Sequence, residues 1–180
     1  AAEDAEGAER LSAIVGAQKS DSYLAQAEVQ KLDVRKGLDD TLLIHNHKLS
    51  DIEVQRDYPD EAHFIDAYAG ELNQVWTNLI DNAADAVVDS GTVNPVITLR
   101  VVPTVEGLTV EVEDNGPGIP ADKIDRVFDA FFTTKPPGSG TGLGLDITYG
   151  VVVHRHGGDI SVESEPGSTV FRVELPLEPQ

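Results

Sequence analysis

Between Glu71 and about Asp89 the apolar residues recur at helical spacing, and this one stretch constrains what the rest of the chain can build. At 100° per residue, Leu72, Val75, Trp76, Leu79, Ala83, Ala86 and Val87 fall on one broad face that must be covered. Strands are available to cover it. Ile52, Val54 and Tyr58 alternate, and His63 to Ala67 reads as a further strand beyond a Pro59-Asp60 turn. Ile97, Leu99 and Val101 alternate as well, and so do Leu108, Val110 and Val112, the two runs joined as a hairpin near Glu106-Gly107. Two closing strands run through Ile160 and Val162 and through Phe171, Val173 and Leu175. Further helices are expected over about 37 to 49, around 121 to 127, and from about Gly142 to His156, the last stopped by Gly157-Gly158. Residues 1 to about 31, rich in Ala, Glu and Gln, read as one amphipathic helix whose apolar side needs another helix. Helices and strands mix without the alternation of a doubly wound parallel sheet. The expected fold is a two-layer α/β sandwich, a mixed and mostly antiparallel sheet covered on one face by helices, with an N-terminal helix.

Composition narrows the chemistry. With 32 acidic against 13 basic residues the formal net charge is -19, a field that repels nucleic acid and anionic membrane surfaces. The absence of cysteine removes disulfides, thiolate metal sites and a cysteine nucleophile together. No apolar run reaches bilayer length, and the N-terminus lacks the basic-then-apolar order of a secretory signal. The chain starts at Ala1 and contains no Met, which predicts a piece of a longer protein; a membrane or sensory segment of the parent could precede it.

Three segments carry chemical potential. On the Glu71 helix, Asn78, Asn82 and Asp85 share a narrow polar strip with Glu71 and Gln74. An amide oxygen is a hard, neutral ligand suited to a Mg2+ ion that also holds phosphate oxygens, although on this helix alone a solvated polar face explains the strip better. Asp114-Asn115-Gly116-Pro117-Gly118-Ile119-Pro120 follows a strand directly; its carboxylate can accept a hydrogen bond from an exocyclic amine, and its glycines let the backbone pass close to a flat ring. As a lone motif it reads equally as a rigid turn. Finally, Phe131-Phe132-Thr133-Thr134-Lys135 leads into Pro136 to Leu145, a glycine-rich loop that runs into a helix and offers N–H groups to phosphate, with Lys135 adding a positive charge. No Gly-Lys-Ser/Thr follows the loop, so it is not a Walker motif.

Taken in order, Asn78-Leu79-Ile80-Asp81-Asn82-Ala83, Asp114-Asn115-Gly116-Pro117-Gly118-Ile119 and Gly140-Thr141-Gly142-Leu143-Gly144-Leu145 resemble the Asn box and two glycine boxes of the GHKL ATP-binding superfamily. Within it the chain resembles the catalytic domain of sensor histidine kinases, which carry the Bergerat-type ATP-binding fold. Phe128 to Lys135 is similar to their phenylalanine box, and the likeness covers about residues 38 to 177. Two places depart from the pattern. Gly167-Ser168-Thr169 stands where Gly-x-Gly-Thr is frequent, and no ligand role is assigned to it; Asp129-Ala130 replaces the common Glu-Pro.

The resemblance implies ATP and Mg2+ as cofactors. It makes Asn82 the metal ligand, places Asn78 beside the phosphates with Asp85 on the same strip, and sets Asp114 on the adenine amine over a floor shaped by Gly116, Gly118 and Ile119. Phe132, Thr134, Lys135 and Gly140, Thr141, Gly142, Leu143, Gly144 and Leu145 would form the lid, with Asn78 and Lys135 as the catalytic pair. The implied reaction moves the ATP γ-phosphoryl group to a histidine, and a response-regulator receiver domain takes it next. In GHKL ATPases such as gyrase a Glu four residues before the metal Asn activates water; Asn78 at that position is a poor base, which favours transfer over hydrolysis. His45, His47, His63, His154 and His156 are followed by Asn, Lys, Phe, Arg and Gly, whereas an acidic residue usually follows the family's acceptor. The acceptor is therefore expected upstream. His45 and His47 read as surface groups, and His154 and His156 as cations favoured by a helix C-terminus. Residues 1 to 31 would be the last helix of a dimerisation and phosphotransfer domain and 32 to 180 the catalytic domain, acting in the cytoplasm on the phosphotransfer helices of a homodimeric parent. A GHKL ATPase or chaperone module, or a non-catalytic nucleotide sensor, are the rival readings.

Overall fold

A computed structural model describes residues 28–133 and 144–180. Strand β1 (Val29–Asp33) leads straight into helix α1 (Val34–Ile44), because Asp33 caps it: its carboxylate accepts the Arg35 N–H at 3.0 Å. Strands β2 (Glu53–Asp57) and β3 (Phe64–Tyr68) follow, then the 21-residue helix α2 (Ala69–Asp89). The hairpin β4 (Val96–Pro103) and β5 (Gly107–Asp114) comes next, then a single 3-10 turn at Ile124–Arg126. Helix α3 (Gly144–Tyr149) widens into a π-helical turn over Gly150–Arg155, and strands β6 (Asp159–Glu165) and β7 (Ser168–Pro176) complete the fold.

The main sheet has the order β2-β4-β5-β7-β6, with β2 parallel to β4 and every other pair antiparallel. Helix α2 lies on it and buries Leu72, Val75, Trp76, Leu79, Ile80, Ala83, Ala84 and Val87 against Ile97, Leu99, Val110, Val112 and Phe171 of one continuous core. Val34, Leu38 and Leu42 of α1 join that core beside α2. This is the expected two-layer sandwich, and the Glu106-Gly107 hairpin stands where the alternation placed it.

Several boundaries differ for identifiable reasons. Residues 29–31 are strand, not the end of a helix, since β1 pairs antiparallel with β3 in a separate two-stranded sheet; residues 1–27 of the expected N-terminal helix lie outside the described residues. β2 and β3 are not partners across their turn. The Arg35 guanidinium, held by Asp33, donates to the carbonyls of Pro59 at 2.7 Å and Asp60 at 3.2 Å, tying that turn to the start of α1. α1 ends at Ile44 rather than near 49, and Leu49 reaches the core from the turns that follow.

Candidate functional site

The polar strip of α2 faces the segment that leaves the glycine-rich loop. Asn78 Nδ2 donates to the Gly144 carbonyl at 2.9 Å and to Thr148 Oγ1 at 3.3 Å, while its Oδ1 accepts from Gln74 at 2.9 Å. Thr148, fully buried, donates to the same Gly144 carbonyl. The N-terminus of α3 is thus latched onto α2, which brings Asn78, Gly144 and Leu145 together. One turn along α2, the side chain of half-buried Asn82 makes no hydrogen bond with any described residue. Asp85 lies on the same strip and is paired at 2.6 Å with Lys48, whose ammonium also donates to Asp81.

The second wall is the turn that follows β5. Asp114 is 2% exposed, and its Oδ1 accepts the Gly116 N–H at 2.9 Å. Burial pushes its carboxyl up to about 6; the Gly116 bond pulls it down and the neighbouring Glu113 charge adds to the rise. Such a group gains from one more donor. Asn115 fastens the turn to the sheet, accepting the Val96 N–H at 2.8 Å and donating to the Asn94 carbonyl. Both glycines are required by close approach. A Cβ on Gly116 would stand 2.8 Å from Asp114 Oδ1 and 3.4 Å from the Ala86 carbonyl of α2; one on Gly118, whose φ is +88°, would stand 2.7 Å from the Glu165 carbonyl. Because Ala86 lies one turn beyond Asn82 on α2, the Asp114 turn and the Asn82 strip are neighbours. Ile119 packs on the core, and its N–H donates to Ser164 Oγ at 2.7 Å.

Phe132 is half-buried with the Arg126 guanidinium 4.9 Å from its ring centroid, and Phe131 is exposed at a φ of +65°. Thr134, Lys135, Gly140, Thr141, Gly142 and Leu143 lie outside the described residues. Two groups were not read from the sequence. Lys48 arrives from a turn 33 residues before Asp81. Thr169, in the turn given no role, is the ladder partner of Asp114, is buried, and shares a hydrogen bond with Ser164.

His156 needs correction. It is 1% exposed: Nε2 accepts the Tyr68 N–H at 3.1 Å and Nδ1 donates to the Val151 carbonyl at 2.9 Å. An imidazole that accepts on one nitrogen and donates on the other is neutral, and burial holds its pKa below the ordinary value. It is a buried link between β3 and the π-helical turn rather than a dipole-stabilised cation. The same Val151 carbonyl also accepts the His156 backbone N–H at 3.1 Å, the five-residue closure that widens the helix there.

Comparison with known proteins gives the family and the fold. The family model described as histidine kinase-, DNA gyrase B-, and HSP90-like ATPase matches residues 68–179. The sensor kinase CckA of Brucella abortus is 39% identical over 142 residues, covering 70% of this chain and 14% of that protein. The sensor protein ChvG of Rhizobium meliloti is 35% identical over 169 residues, 87% of this chain and 29% of its own length. Among solved structures, the catalytic domain of histidine kinase ThkA superposes with a TM-score of 0.74 at 27% identity, covering 84% of this chain and 97% of that one. The chain therefore spans less than a third of those two curated relatives. With the match extending over more than half of its residues, the chain belongs to the histidine kinase-, gyrase B- and HSP90-like ATPase family and carries an ATP-binding catalytic domain of the sensor histidine kinase kind.

Proposed function

We propose that this domain transfers the γ-phosphoryl group of Mg-ATP to a histidine on the phosphotransfer helices of its parent protein, from which a response-regulator receiver domain takes it. The latch between Asn78 and Gly144 carries the reading, because it joins the α2 strip to the glycine-rich segment beside the Asp114 turn. The Asp114 carboxylate accepts the adenine amine, and Gly116, Gly118 and Ile119 form the floor under the ring. Lys135, Thr134 and Gly140 to Leu143 are assigned to the triphosphate, and Phe132 to the same nucleotide.

Asn82 suits a Mg2+ ion: its amide is uncommitted among the described residues and offers a hard neutral oxygen. Among those residues no cluster of three or more His, Asp or Glu side chains could hold an ion alone, which fits a metal sharing its ligands with phosphate and water. When bound, Mg2+ supplies charge neutralisation on the phosphates. The protein's own part is positioning: Asp114 fixes the base and α2 aligns the phosphates. Asn78 has its amide engaged by Gln74, Gly144 and Thr148 and is no base for water, which supports transfer over hydrolysis.

Residues 1 to 27 are assigned to the end of the dimerisation and phosphotransfer domain of a homodimeric, cytoplasm-facing parent, since residues 29–31 pair with β3 inside the catalytic domain. In support of a regulator partner, histidine kinase ThkA in complex with the response regulator protein TrrA superposes at a TM-score of 0.71 and 25% identity, covering 95% of this chain and 48% of that one. Among the described residues no helix is long and apolar enough to cross a membrane. The test is to mix the chain with γ-labelled Mg-ATP and a polypeptide carrying the parent's phosphotransfer helix. Acid-labile phosphohistidine on that polypeptide is expected; none, with ATP binding intact, contradicts the proposal.

A further inference from the structure

A nucleotide brings negative phosphates to a chain whose formal net charge is already -19. The conflict is sharpest on α2, where Asn78, Asp81, Asn82 and Asp85 stand three and four residues apart and so share one face. Two carboxylates flank the amide assigned to the metal. Like charges this close oppose a polyphosphate strongly, and more so where solvent is partly excluded.

The structure answers that repulsion with one side chain from elsewhere. Lys48 stands in the turns after α1, and its Nζ donates to Asp81 and pairs with Asp85 at 2.6 Å. Asp85 is the more enclosed of the two acids, with 19% of its side chain exposed against 42% for Asp81. Burial pulls the Lys48 pKa down, but the bonds and charges of Asp81 and Asp85 outweigh it, so the ammonium is held charged above its ordinary range. A plain tie between this turn and α2 needs only one of these bonds. Lys48 makes both, and both end on the acids beside Asn82.

We infer that Lys48 is a positioning residue of the nucleotide site: it offsets the Asp81 and Asp85 carboxylates and so makes the α2 strip habitable for a polyphosphate. The inference rests on the Mg-ATP reading above. It predicts a split between phosphate and base recognition, because Lys48 acts on the charge of the strip and not on Asp114.

The test is calorimetric titration of the whole chain with Mg-ATP and with adenosine, thermal unfolding confirming that each variant is folded. Lys48→Met should weaken Mg-ATP about tenfold and leave adenosine within about twofold, the effect of one uncompensated charge near the phosphates. Lys48→Met combined with Asp81→Asn restores the charge of the trio and should recover most of the loss; Lys48→Arg should stay close to the native chain. Asp81→Asn alone should tighten Mg-ATP severalfold, which keeps the inference exposed if Lys48→Met fails to fold. Equal losses for ATP and adenosine, no recovery in the charge-restored double variant, or no tightening by Asp81→Asn overturns it. A native chain that binds adenosine but not Mg-ATP overturns the Mg-ATP reading, and this inference with it.

Discussion

Asp114 and His156 are two buried titratable groups whose effects on stability run in opposite directions. The folded pKa of Asp114 is raised from 3.8 to about 6, so the unfolded chain holds fewer protons between those values. Its charge therefore costs the fold on the order of 1–3 kcal/mol above pH 6, and the cost disappears as pH falls through 6 toward 3.8. Asp114→Asn should raise the unfolding temperature and still weaken ATP at least about tenfold, because an amide cannot receive the ring amine as a carboxylate does. For native chain, ATP affinity should fall as pH drops below about 6. Calorimetry on both proteins checks the pair; an Asp114→Asn chain that is less stable but binds ATP normally contradicts it. His156 has a folded pKa below its unfolded value, so its contribution is complete above about 6.5 and is lost as pH falls through that value and below. Denaturant midpoints measured in the Asp114→Asn background isolate this effect: they should decline between pH 7.5 and 5.5, and His156→Gln should flatten the decline. A slope unchanged by His156→Gln would place the acid sensitivity elsewhere.

Among the elements, the Asp114 turn is built by contact with three others, and that fixes what its glycines tolerate. Gly116 lies against Ala86 of α2, its carbonyl accepts the Gly167 N–H at 2.9 Å, and Gly118 passes the Glu165 carbonyl at the end of β6. Gly118→Ala should destabilise by about 1–3 kcal/mol through its positive φ and the backbone clash. It should also loosen the Asp114 floor, read as a shift in denaturant midpoint and a drop in ATP affinity; a neutral effect on both would mean that the turn is freer than drawn. Much of this level was legible beforehand. The apolar face of α2, the β4–β5 hairpin and the closing strands follow from periods of 3.6 and 2, which the sequence states directly. Asp114, Gly116 and Gly118 are legible as a candidate turn because they lie close together along the chain. The pairing of β1 with β3 was not, because a short strand at an edge is chosen by its distant partner. Lys48 and Thr169 were missed for the same reason: the first reaches from a turn to acids on α2, the second is set opposite Asp114 by ladder register alone.

At the scale of the whole molecule, the proposed nucleotide site stands inside a strongly acidic protein, with a formal net charge of -19. Net charge acts over the Debye length of about 8–10 Å, so added salt should screen repulsion and speed nucleotide association. Stopped-flow binding should show the association rate rising severalfold from roughly 10 to 150 mM salt; a falling rate would reverse the electrostatic picture. In the proposed function the α2 strip, the Asp114 turn and the glycine-rich segment bind one nucleotide together. Amide resonances of the isotopically labelled chain, followed while Mg-ATP is added, test it most directly. Simultaneous shifts are expected at Asn78 and Asn82, at Asp114 to Ile119, and at Gly140 to Leu145. Shifts confined to the cleft at the far end of the sheet, around Thr104 to Thr109 and Glu174 to Gln180, would contradict it.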